Sequence, residues 1–165
     1  MMNIEWDDYF MSLAVLVSLR SKDPNSKVGA VLVKDNKVIG TGYNGLPSGI
    51  DESKFTWDRD IDSKGWLNTK YPYVIHAEAN ALLNSIGDTK GATIYVTLQP
   101  CNECAKLLIQ AGVKRVNFLD EKYKDCDSFI ASMKLLDAAN VKYSKMDIKN
   151  MKLIIDTLKS YLDEE

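Results

Sequence analysis

The chain has 165 residues, of which 45% are hydrophobic, and a formal net charge of −2. We therefore expect one domain, residues 1–165, whose core needs no disulfides. The basic residues are scattered, which disfavours a nucleic-acid polymer as partner. The longest nearly apolar run, Phe10 to Leu19, is too short to span a membrane, and the acidic segment "IEWDD" lacks the basic start of a secretory signal. We expect a cytoplasmic protein with no membrane partner and with reduced thiols.

The first third of the chain predicts a helix followed by a hairpin. Apolar residues recur at helical spacing from Trp6 to Arg20, and "DPN" ends this pattern. The β-branched runs "KVGAVLV" and "KVIGTGY" predict two strands with Asp35 and Asn36 in the turn between them. Residues 44–70 show no sustained period. A loop of this length in a compact domain is typically functional, and its tryptophans disfavour the alternative of a disordered excursion.

The remaining residues alternate between helical and strand-like patterns. We expect helices at 76–86, 101–111, 128–139 and 148–162, and strands at 92–98, 113–119 and 141–146. Strands separated by single helices favour parallel pairing, whereas the initial hairpin is antiparallel. The predicted fold class is α/β, with a mixed five-stranded sheet between helices on both faces. The apolar residues of the last helix suit packing on its own core or on a neighbouring subunit.

The strongest chemical signal joins the only histidine, His76, to a Cys-x-x-Cys pair. With Pro100 in the first helical turn, Cys101 and Cys104 lie near a helix start, where the positive end of the helix favours thiolates. One histidine and two cysteines provide three zinc ligands and leave the fourth position to water. That arrangement is typical of a catalytic zinc site rather than a structural one.

Glu78 follows His76 by two residues. In the middle of a helix this spacing directs the two side chains away from each other, so we expect His76 to lie where the helix begins. His76 can then bind the metal while Glu78 transfers protons to and from the water. H-x-E followed by P-C-x-x-C is the signature of zinc deaminases. Each feature alone also fits a structural or redox role, but their joint spacing favours the deaminase.

From about Trp6 to Tyr143 the sequence resembles the deoxycytidylate (dCMP) deaminases of the cytidine deaminase superfamily. The similar segments extend beyond the metal motifs and include "SKDPNSKVGAVLV", "GTGYNGLPSG", "KYPYVIHAEANALLN", "YVTLQPCNECAKLLIQAG" and "DEKYKD". The resemblance implies a three-layer α/β/α cytidine deaminase-like fold. It also implies one Zn²⁺ per subunit, held by His76, Cys101 and Cys104, with Glu78 as the catalytic acid and base. The implied reaction converts dCMP to dUMP and ammonia, which feeds thymidylate synthesis.

The resemblance further implies where the substrate binds. An anionic substrate of an acidic protein needs a local cation, so we look for phosphate ligands at Ser26 and Lys27, in the 44–70 loop, and at Tyr123 and Lys124. The expected contacts are Asn44 for the sugar, the backbone of Ala77 and the turn at Pro100 for the pyrimidine edge, and Ser26, Lys27 and Tyr123 for the phosphate.

Members of this family are commonly homohexamers that are activated by dCTP with Mg²⁺ and inhibited by dTTP. The segments that resemble the effector region place candidate allosteric residues at Asn25, Gly29 and Gly45. Some phage relatives carry a second, structural zinc ahead of the catalytic motif, but this sequence lacks the extra ligands. We therefore expect the 44–70 loop to keep its packing without a metal. We also expect it to become ordered when effectors bind.

Two alternatives remain open at this point. The first is a zinc deaminase with a different substrate, such as cytidine, deoxycytidine, dCTP, guanine, or a base within RNA or DNA, because these enzymes share the same metal chemistry. The second is a zinc- or nucleotide-binding module without activity. Glu78 disfavours the second alternative, since a binding protein does not require that carboxylate.

Overall fold

A computed structural model describes residues 3–162. Its α-helices in this range are α1 Trp6–Ser18, α2 Ile61–Lys64, α3 Ala77–Leu83, α4 Asn102–Gln110, α5 Asp127–Ala138 and α6 Met151–Ser160. Its strands are β1 Gly29–Lys34, β2 Lys37–Tyr43, β3 Thr93–Leu98, β4 Arg115–Asp120 and β5 Lys142–Lys145. The expected domain of residues 1–165 includes 1–2 and 163–165, which lie outside the described residues.

The five strands form one mixed sheet, as predicted, and their order is β2-β1-β3-β4-β5. β1 pairs antiparallel with both β2 and β3, whereas the pairs β3–β4 and β4–β5 are parallel. One pairing differs from the expectation. β2 and β3 run in the same direction and are joined by a segment that contains α2 and α3, but β1 lies between them, so they are not neighbours.

The predicted hairpin turn is confirmed by its backbone angles. Asp35 and Asn36 have φ values of 51° and 56°. Two central residues with positive φ define the turn whose twist matches that of the flanking strands, and Asn and Asp tolerate this conformation better than most residues. The turn therefore sets the register of β1 against β2.

Alternate residues of β1 supply two cores, one on each face of the sheet. On one face, Val31 and Val33 pack with Phe10 and Met11 of α1 and with Tyr95 of β3. The opposite face packs against α3, α4 and α5, with Ala30, Leu32, Ile94, Val96, Ala81, Leu108, Val116 and Leu136 all buried. Helices on both faces of the sheet confirm the three-layer α/β/α architecture.

Glycine at position 42 lets β2 approach α3 closely. A Cβ atom at Gly42 would lie 2.2 Å from the backbone nitrogen of Ala81 and 2.3 Å from the carbonyl oxygen of Ala77. Both distances are far below van der Waals contact, so a side chain here would push the helix away from the sheet. Gly42 thus fixes the position of the helix that carries His76 and Glu78 at its start.

The 44–70 loop has structure of its own. It contains α2 and two short 3-10 turns, Glu52–Lys54 and Trp66–Asn68. The Phe55 and Tyr73 rings meet edge to face at 4.8 Å, and Lys70 N donates to the Asp58 carbonyl at 2.9 Å. These contacts fold the loop onto the segment that leads into α3.

The last helix is shorter than expected because the turn before it is fixed by α1. The Asp8 carboxylate accepts hydrogen bonds from the backbone nitrogens of Lys149 and Asn150. Ile148 packs on the core beneath α1, but no residue of α6 itself is buried. Within residues 3–162, no helix combines the length and the apolar character needed to cross a bilayer.

Candidate active site

The predicted metal ligands lie at the starts of two helices. His76 is the residue before the first turn of α3, with an extended backbone (φ −73°, ψ 156°). Cys101 has the same place at the start of α4 (φ −76°, ψ 173°), and Cys104 lies in the first turn. Pro100 therefore precedes the cap of α4, and the expectation that it occupies the first helical turn is wrong. The prediction that His76 lies at a helix start is confirmed.

The three ligand atoms are close enough to share one ion. His76 Nδ1 lies 3.5 Å from the Cys101 sulfur and 3.4 Å from the Cys104 sulfur, and all three ligand atoms lie within 4.8 Å of one another. Tetrahedral zinc with its usual Zn–N and Zn–S bonds would separate such atoms by about 3.6 Å. The residues therefore fit a zinc ion with three protein ligands and one open position.

The cluster holds one of its three ligands, Cys101, in the charge state that a metal requires, whereas His76 and Cys104 must lose protons when a metal binds. The Cys104 thiol and His76 both hydrogen-bond to the Cys101 sulfur, and together they lower the pKa of Cys101 to about 4. The negative sulfur in turn raises the pKa of His76 to about 9. The hydrogen bond to Cys101 and, after it, burial raise the pKa of Cys104. The site thus holds at least one thiolate at neutral pH before any metal binds.

Glu78 lies beside the metal ligands without being one of them. It occupies the first turn of α3 and is only 4% exposed. The cluster of ligand atoms comprises His76, Cys101 and Cys104 and does not include this carboxylate. Burial raises the pKa of Glu78, while the positive charge of His76 opposes that shift. A buried carboxyl next to a metal position can accept and return protons.

His76, Cys101 and Glu78 line a cavity of about 500 Å³, a volume typical of small-ligand sites. Of the expected substrate-binding residues, Ser26, Asn44, Ala77 and Tyr123 line this cavity. Lys27 and Pro100 do not: the side chain of Lys27 is exposed to solvent, and Pro100 is buried behind the start of α4. The structure thus brings four of these six residues together at the site.

Asn44 is held by the protein through nearly all of its hydrogen-bonding capacity. Its Nδ2 donates to the Asp23 carboxylate at 3.2 Å and to the Ser26 carbonyl at 2.9 Å. Its Oδ1 accepts from the backbone nitrogen of Val28 at 2.8 Å. Since both amide hydrogens are used, only the second lone pair of Oδ1 remains for a ligand. Asn44 can therefore accept a hydrogen bond from a hydroxyl group but cannot donate one.

Asp23 organises this wall of the cavity. It is fully buried, and its Oδ1 accepts from the backbone nitrogens of Asn25 and Ser26. Its Oδ2 accepts from Asn44 and from the Lys70 ammonium group. Lys70 is almost fully buried as well, so the two charges form an ion pair inside the protein. The pair ties the start of the hairpin to the segment that leads into α3.

The candidate allosteric residues have structural contacts outside the cavity. Asn25 Nδ2 donates to the carbonyl of Trp57 at 3.2 Å, which joins the "DPN" turn to the 44–70 loop. Gly29 packs against α1 so closely that a Cβ would lie 2.1 Å from the carbonyl oxygen of Ala14. Gly45 exchanges backbone hydrogen bonds with Ile75. Effector contacts at these positions stay predictions.

Sequence reasoning missed several polar residues that line the cavity, among them Arg59, Lys70, Tyr71 and Gln99. Gln99 is 4% exposed, and its Oε1 has no hydrogen-bond partner within residues 3–162. Lys70 stands in the "KYPYV" segment, where its proximity to His76 was a usable signal. Arg59 lies between two aspartates, and its local sequence indicates a solvated charge rather than a site residue.

Comparisons with known proteins agree with this site. Residues 4–120 match the cytidine and deoxycytidylate deaminase zinc-binding region. The deoxycytidylate deaminase of Homo sapiens is 50% identical over 155 residues, which cover 93% of this chain and 86% of that protein. The Mus musculus enzyme of the same name is 48% identical over 155 residues, with the same coverage. The structure of dCMP deaminase from the cyanophage S-TIM5 in complex with dCMP and dUMP matches with a TM-score of 0.70 at 30% identity, covering 88% of this chain and all of that one.

The chain therefore belongs to the cytidine and deoxycytidylate deaminase family, and its resemblance to the dCMP deaminases is confirmed. Its fold and its His-Cys-Cys cluster are those of a zinc-binding deaminase domain.

Proposed function

We propose that the protein catalyses the hydrolytic deamination of dCMP to dUMP and ammonia. The observation that carries the proposal is the buried Glu78 beside a three-ligand metal cluster, both opening onto one nucleotide-sized cavity. Relatives at about half identity bear the name deoxycytidylate deaminase, and a structural relative is described in complex with dCMP and dUMP.

His76, Cys101 and Cys104 would hold one Zn²⁺ per subunit, which supplies Lewis acidity and an activated water when bound. Glu78 accepts a proton from the attacking water and passes it to the ring nitrogen next to the amino-bearing carbon. Glu78 then moves the second water proton to the departing amino group, which leaves as ammonia. The water oxygen remains as the new carbonyl oxygen, so the atoms balance.

The remaining substrate contacts follow from donors and acceptors on the cavity wall. The backbone nitrogen of Ala77 lies in the first turn of α3, where it has no partner within the helix, so it can donate to the carbonyl oxygen of the pyrimidine. Asn44 Oδ1 accepts from a sugar hydroxyl. Ser26 and Tyr123 line the cavity and offer hydroxyl groups to the phosphate, whereas exposed Lys27 does not line the cavity.

The further family properties remain predictions for this chain. They are the hexamer, activation by dCTP with Mg²⁺, inhibition by dTTP through residues near Asn25, Gly29 and Gly45, and a cytoplasmic location. The finding that bears on location is limited to the helices of residues 3–162, none of which fits a membrane span.

Ammonia release by the zinc-loaded protein tests the proposal. The substrate panel is dCMP, deoxycytidine, cytidine and a cytosine-containing single-stranded oligonucleotide, each with and without dCTP and Mg²⁺. We expect dCMP to be the preferred substrate and dCTP to increase its turnover. Preference for another member of the panel would refute the substrate assignment while leaving the zinc chemistry intact. No response to dCTP would refute the regulatory prediction alone.

A further inference from the structure

We propose that Asp23 is a positioning residue for Asn44: it fixes the orientation of the Asn44 amide, so that the group left for a ligand is an acceptor that selects a free 3′-hydroxyl group. The inference deepens the proposed function and rests on it, because it assigns a role beside the same cavity. Asp23 acts through Asn44 and takes no part in the chemistry.

The partners of the Asn44 amide all favour the same orientation. Nδ2 faces two acceptors, the Asp23 carboxylate at 3.2 Å and the Ser26 carbonyl at 2.9 Å. Oδ1 faces a donor, the backbone nitrogen of Val28 at 2.8 Å. The reverse orientation would place the amide oxygen against two acceptors and the amide nitrogen against a donor, and all three hydrogen bonds would be lost. The surrounding groups therefore hold the amide in one orientation.

Asp23 provides one of these acceptors and positions the other. Its Oδ2 accepts directly from Asn44. Its Oδ1 accepts from the backbone nitrogens of Asn25 and Ser26 at 2.8 and 3.1 Å, which fixes the turn that carries the Ser26 carbonyl. The Asp23 backbone nitrogen donates to Ser21 Oγ, which in turn donates to the Asn44 carbonyl. Both the side chain and the backbone of Asn44 are thus tied to Asp23.

The ammonium group of Lys70 ensures that Asp23 acts only as an acceptor. Lys70 bonds to the same Oδ2 that Asn44 uses, and the side chains of Lys70 and Asp23 are 10% and 0% exposed. A carboxylate in an ion pair is ionised and has no hydrogen to donate. The Asn44 amide therefore finds no donor at Asp23 that would stabilise the reverse orientation.

An acceptor in this wall selects a ligand group that donates. In dCMP the phosphate occupies the 5′ oxygen and carbon 2′ carries no oxygen, so the single free hydroxyl group of the sugar is at carbon 3′. This hydroxyl can donate to the remaining lone pair of Asn44 Oδ1. Within a polymer the 3′ oxygen is esterified and has no hydrogen. The arrangement therefore favours a free nucleotide over a base within RNA or DNA.

The test uses the 3′-fluoro analogues of dCMP and dUMP, in which fluorine replaces the 3′-hydroxyl group. Fluorine is similar in size to a hydroxyl group but cannot donate a hydrogen bond. Two selectivity ratios are measured for each protein: kcat/KM for dCMP over its analogue, and calorimetric affinity for dUMP over its analogue. A ratio of two kcat/KM values does not depend on the fraction of the enzyme that is folded, so a loss of stability does not change it.

Asp23→Asn is the informative variant, because it can keep the turn and still lose the contact with Asn44. Its Oδ1 can accept from the same backbone nitrogens, but its amide nitrogen then faces Asn44 Nδ2, a donor against a donor. A second variant, Asp23→Asn with Lys70→Met, removes both buried charges and leaves no unpaired ammonium group. Asp88→Asn is the matched control. Asp88 also accepts from the backbone nitrogen two residues further on and pairs with a lysine, Lys34, but it does not line the cavity.

We expect wild type to prefer the hydroxyl group by roughly 5- to 10-fold in both ratios, the contribution of about one hydrogen bond. In Asp23→Asn and in the double variant with Lys70→Met, both ratios should fall to about twofold or less, whereas Asp88→Asn should keep the wild-type ratios. Asn44→Ala should give the same low ratios. Adding Asp23→Asn to Asn44→Ala should change them no further, because a positioning residue acts only through the residue that it holds.

Wild-type ratios in Asp23→Asn or in the double variant with Lys70→Met would overturn the positioning role. A further fall when Asp23→Asn is added to Asn44→Ala would overturn it as well, because Asp23 would then act by another route. Wild type that does not distinguish hydroxyl from fluorine would overturn the 3′-hydroxyl selection. Failure of the proposed function has a different signature, since wild type would release no ammonia from dCMP. The affinities for dUMP and its analogue would still decide the role of Asp23 in that case.

Discussion

The active-site cavity has two walls that are built in different ways. The metal site, His76, Glu78, Cys101 and Cys104, stands on the first turns of two helices that pack against the sheet. The opposite wall, which we call the loop wall, comprises Asp23, Arg59, Lys70, Tyr71 and Tyr123, none of which lies in a helix or strand. The metal site therefore gains rigidity from the core, whereas the loop wall depends on hydrogen bonds and ion pairs between distant segments. Substitutions in the metal site and in the loop wall can thus change catalysis and substrate preference independently of each other.

Removal of the carboxylate at Glu78 should produce the largest effect. In Glu78→Gln we expect kcat to fall by roughly 100- to 10,000-fold, because the amide cannot transfer protons, while zinc content and dUMP affinity stay at wild-type levels. Kinetics, metal analysis and calorimetry check these three values. Glu103→Gln is the matched control, since Glu103 is an exposed residue at the start of α4 that pairs with Lys106. Wild-type turnover in Glu78→Gln would refute the proton-transfer role.

Loss of a metal ligand should affect the metal site without removing the loop wall. Cys104→Ser should weaken zinc binding by more than about 100-fold, since even residues that only support ligands contribute 10- to 100-fold. Zinc content after dialysis against a chelator measures this loss. Cys126→Ser should keep its zinc, because Cys126 is not part of the ligand cluster. Full zinc occupancy in Cys104→Ser would show that the three-ligand assignment is wrong.

Breaking the buried ion pair should destabilise the loop wall. Lys70→Met leaves the Asp23 carboxylate buried without a partner, and we expect the free energy of unfolding to fall by about 3–5 kcal/mol. Denaturant unfolding of the zinc-loaded protein measures the change. Lys22→Met removes a solvent-exposed pair with Glu52 and should cost at most about 1 kcal/mol. Equal effects of the two substitutions would mean that the Asp23–Lys70 pair does not organise this wall.

A methyl group at position 42 should disturb the metal site by displacing the start of α3. Gly42→Ala places a Cβ against the backbone of α3, and we expect a loss of about 1–3 kcal/mol in stability together with lower kcat, because the start of α3 must shift. Gly45→Ala is the control for stability, since its nearest contact for a Cβ is an ordinary 3.7 Å. If Gly42→Ala unfolds at the same denaturant concentration as Gly45→Ala, the close packing of β2 on α3 is not rigid.

The sequence was a good guide where the determining contacts are local. The hairpin turn at Asp35 and Asn36 and the two helix starts were predicted within a few residues, because turn and cap preferences act over one or two positions. The metal ligands followed from short spacings and soft-ligand chemistry. The insertion of β1 between β2 and β3 was not predicted, since a helical connection does not specify whether the strands it joins are adjacent.

The loop wall shows why the remaining site residues were harder to predict from the sequence. Arg59 and Tyr123 are 64 residues apart, and nothing in either local pattern indicates that they meet. Asp58 and Asp60 flank Arg59 and give the sequence the character of a compensated surface segment, whereas in the fold both carboxylates face other partners. Lys27 was expected to contact the phosphate but does not line the cavity, because the direction of its exposed side chain depends on the tertiary fold.

The most direct test of the central claim is the reaction of the zinc-loaded protein with dCMP in water enriched in heavy oxygen. The account predicts dUMP that carries one heavy oxygen atom on the pyrimidine, with one ammonia released for each dUMP formed. Fully zinc-loaded protein that yields no dUMP, or dUMP without the label, would contradict hydrolytic deamination of dCMP at this site.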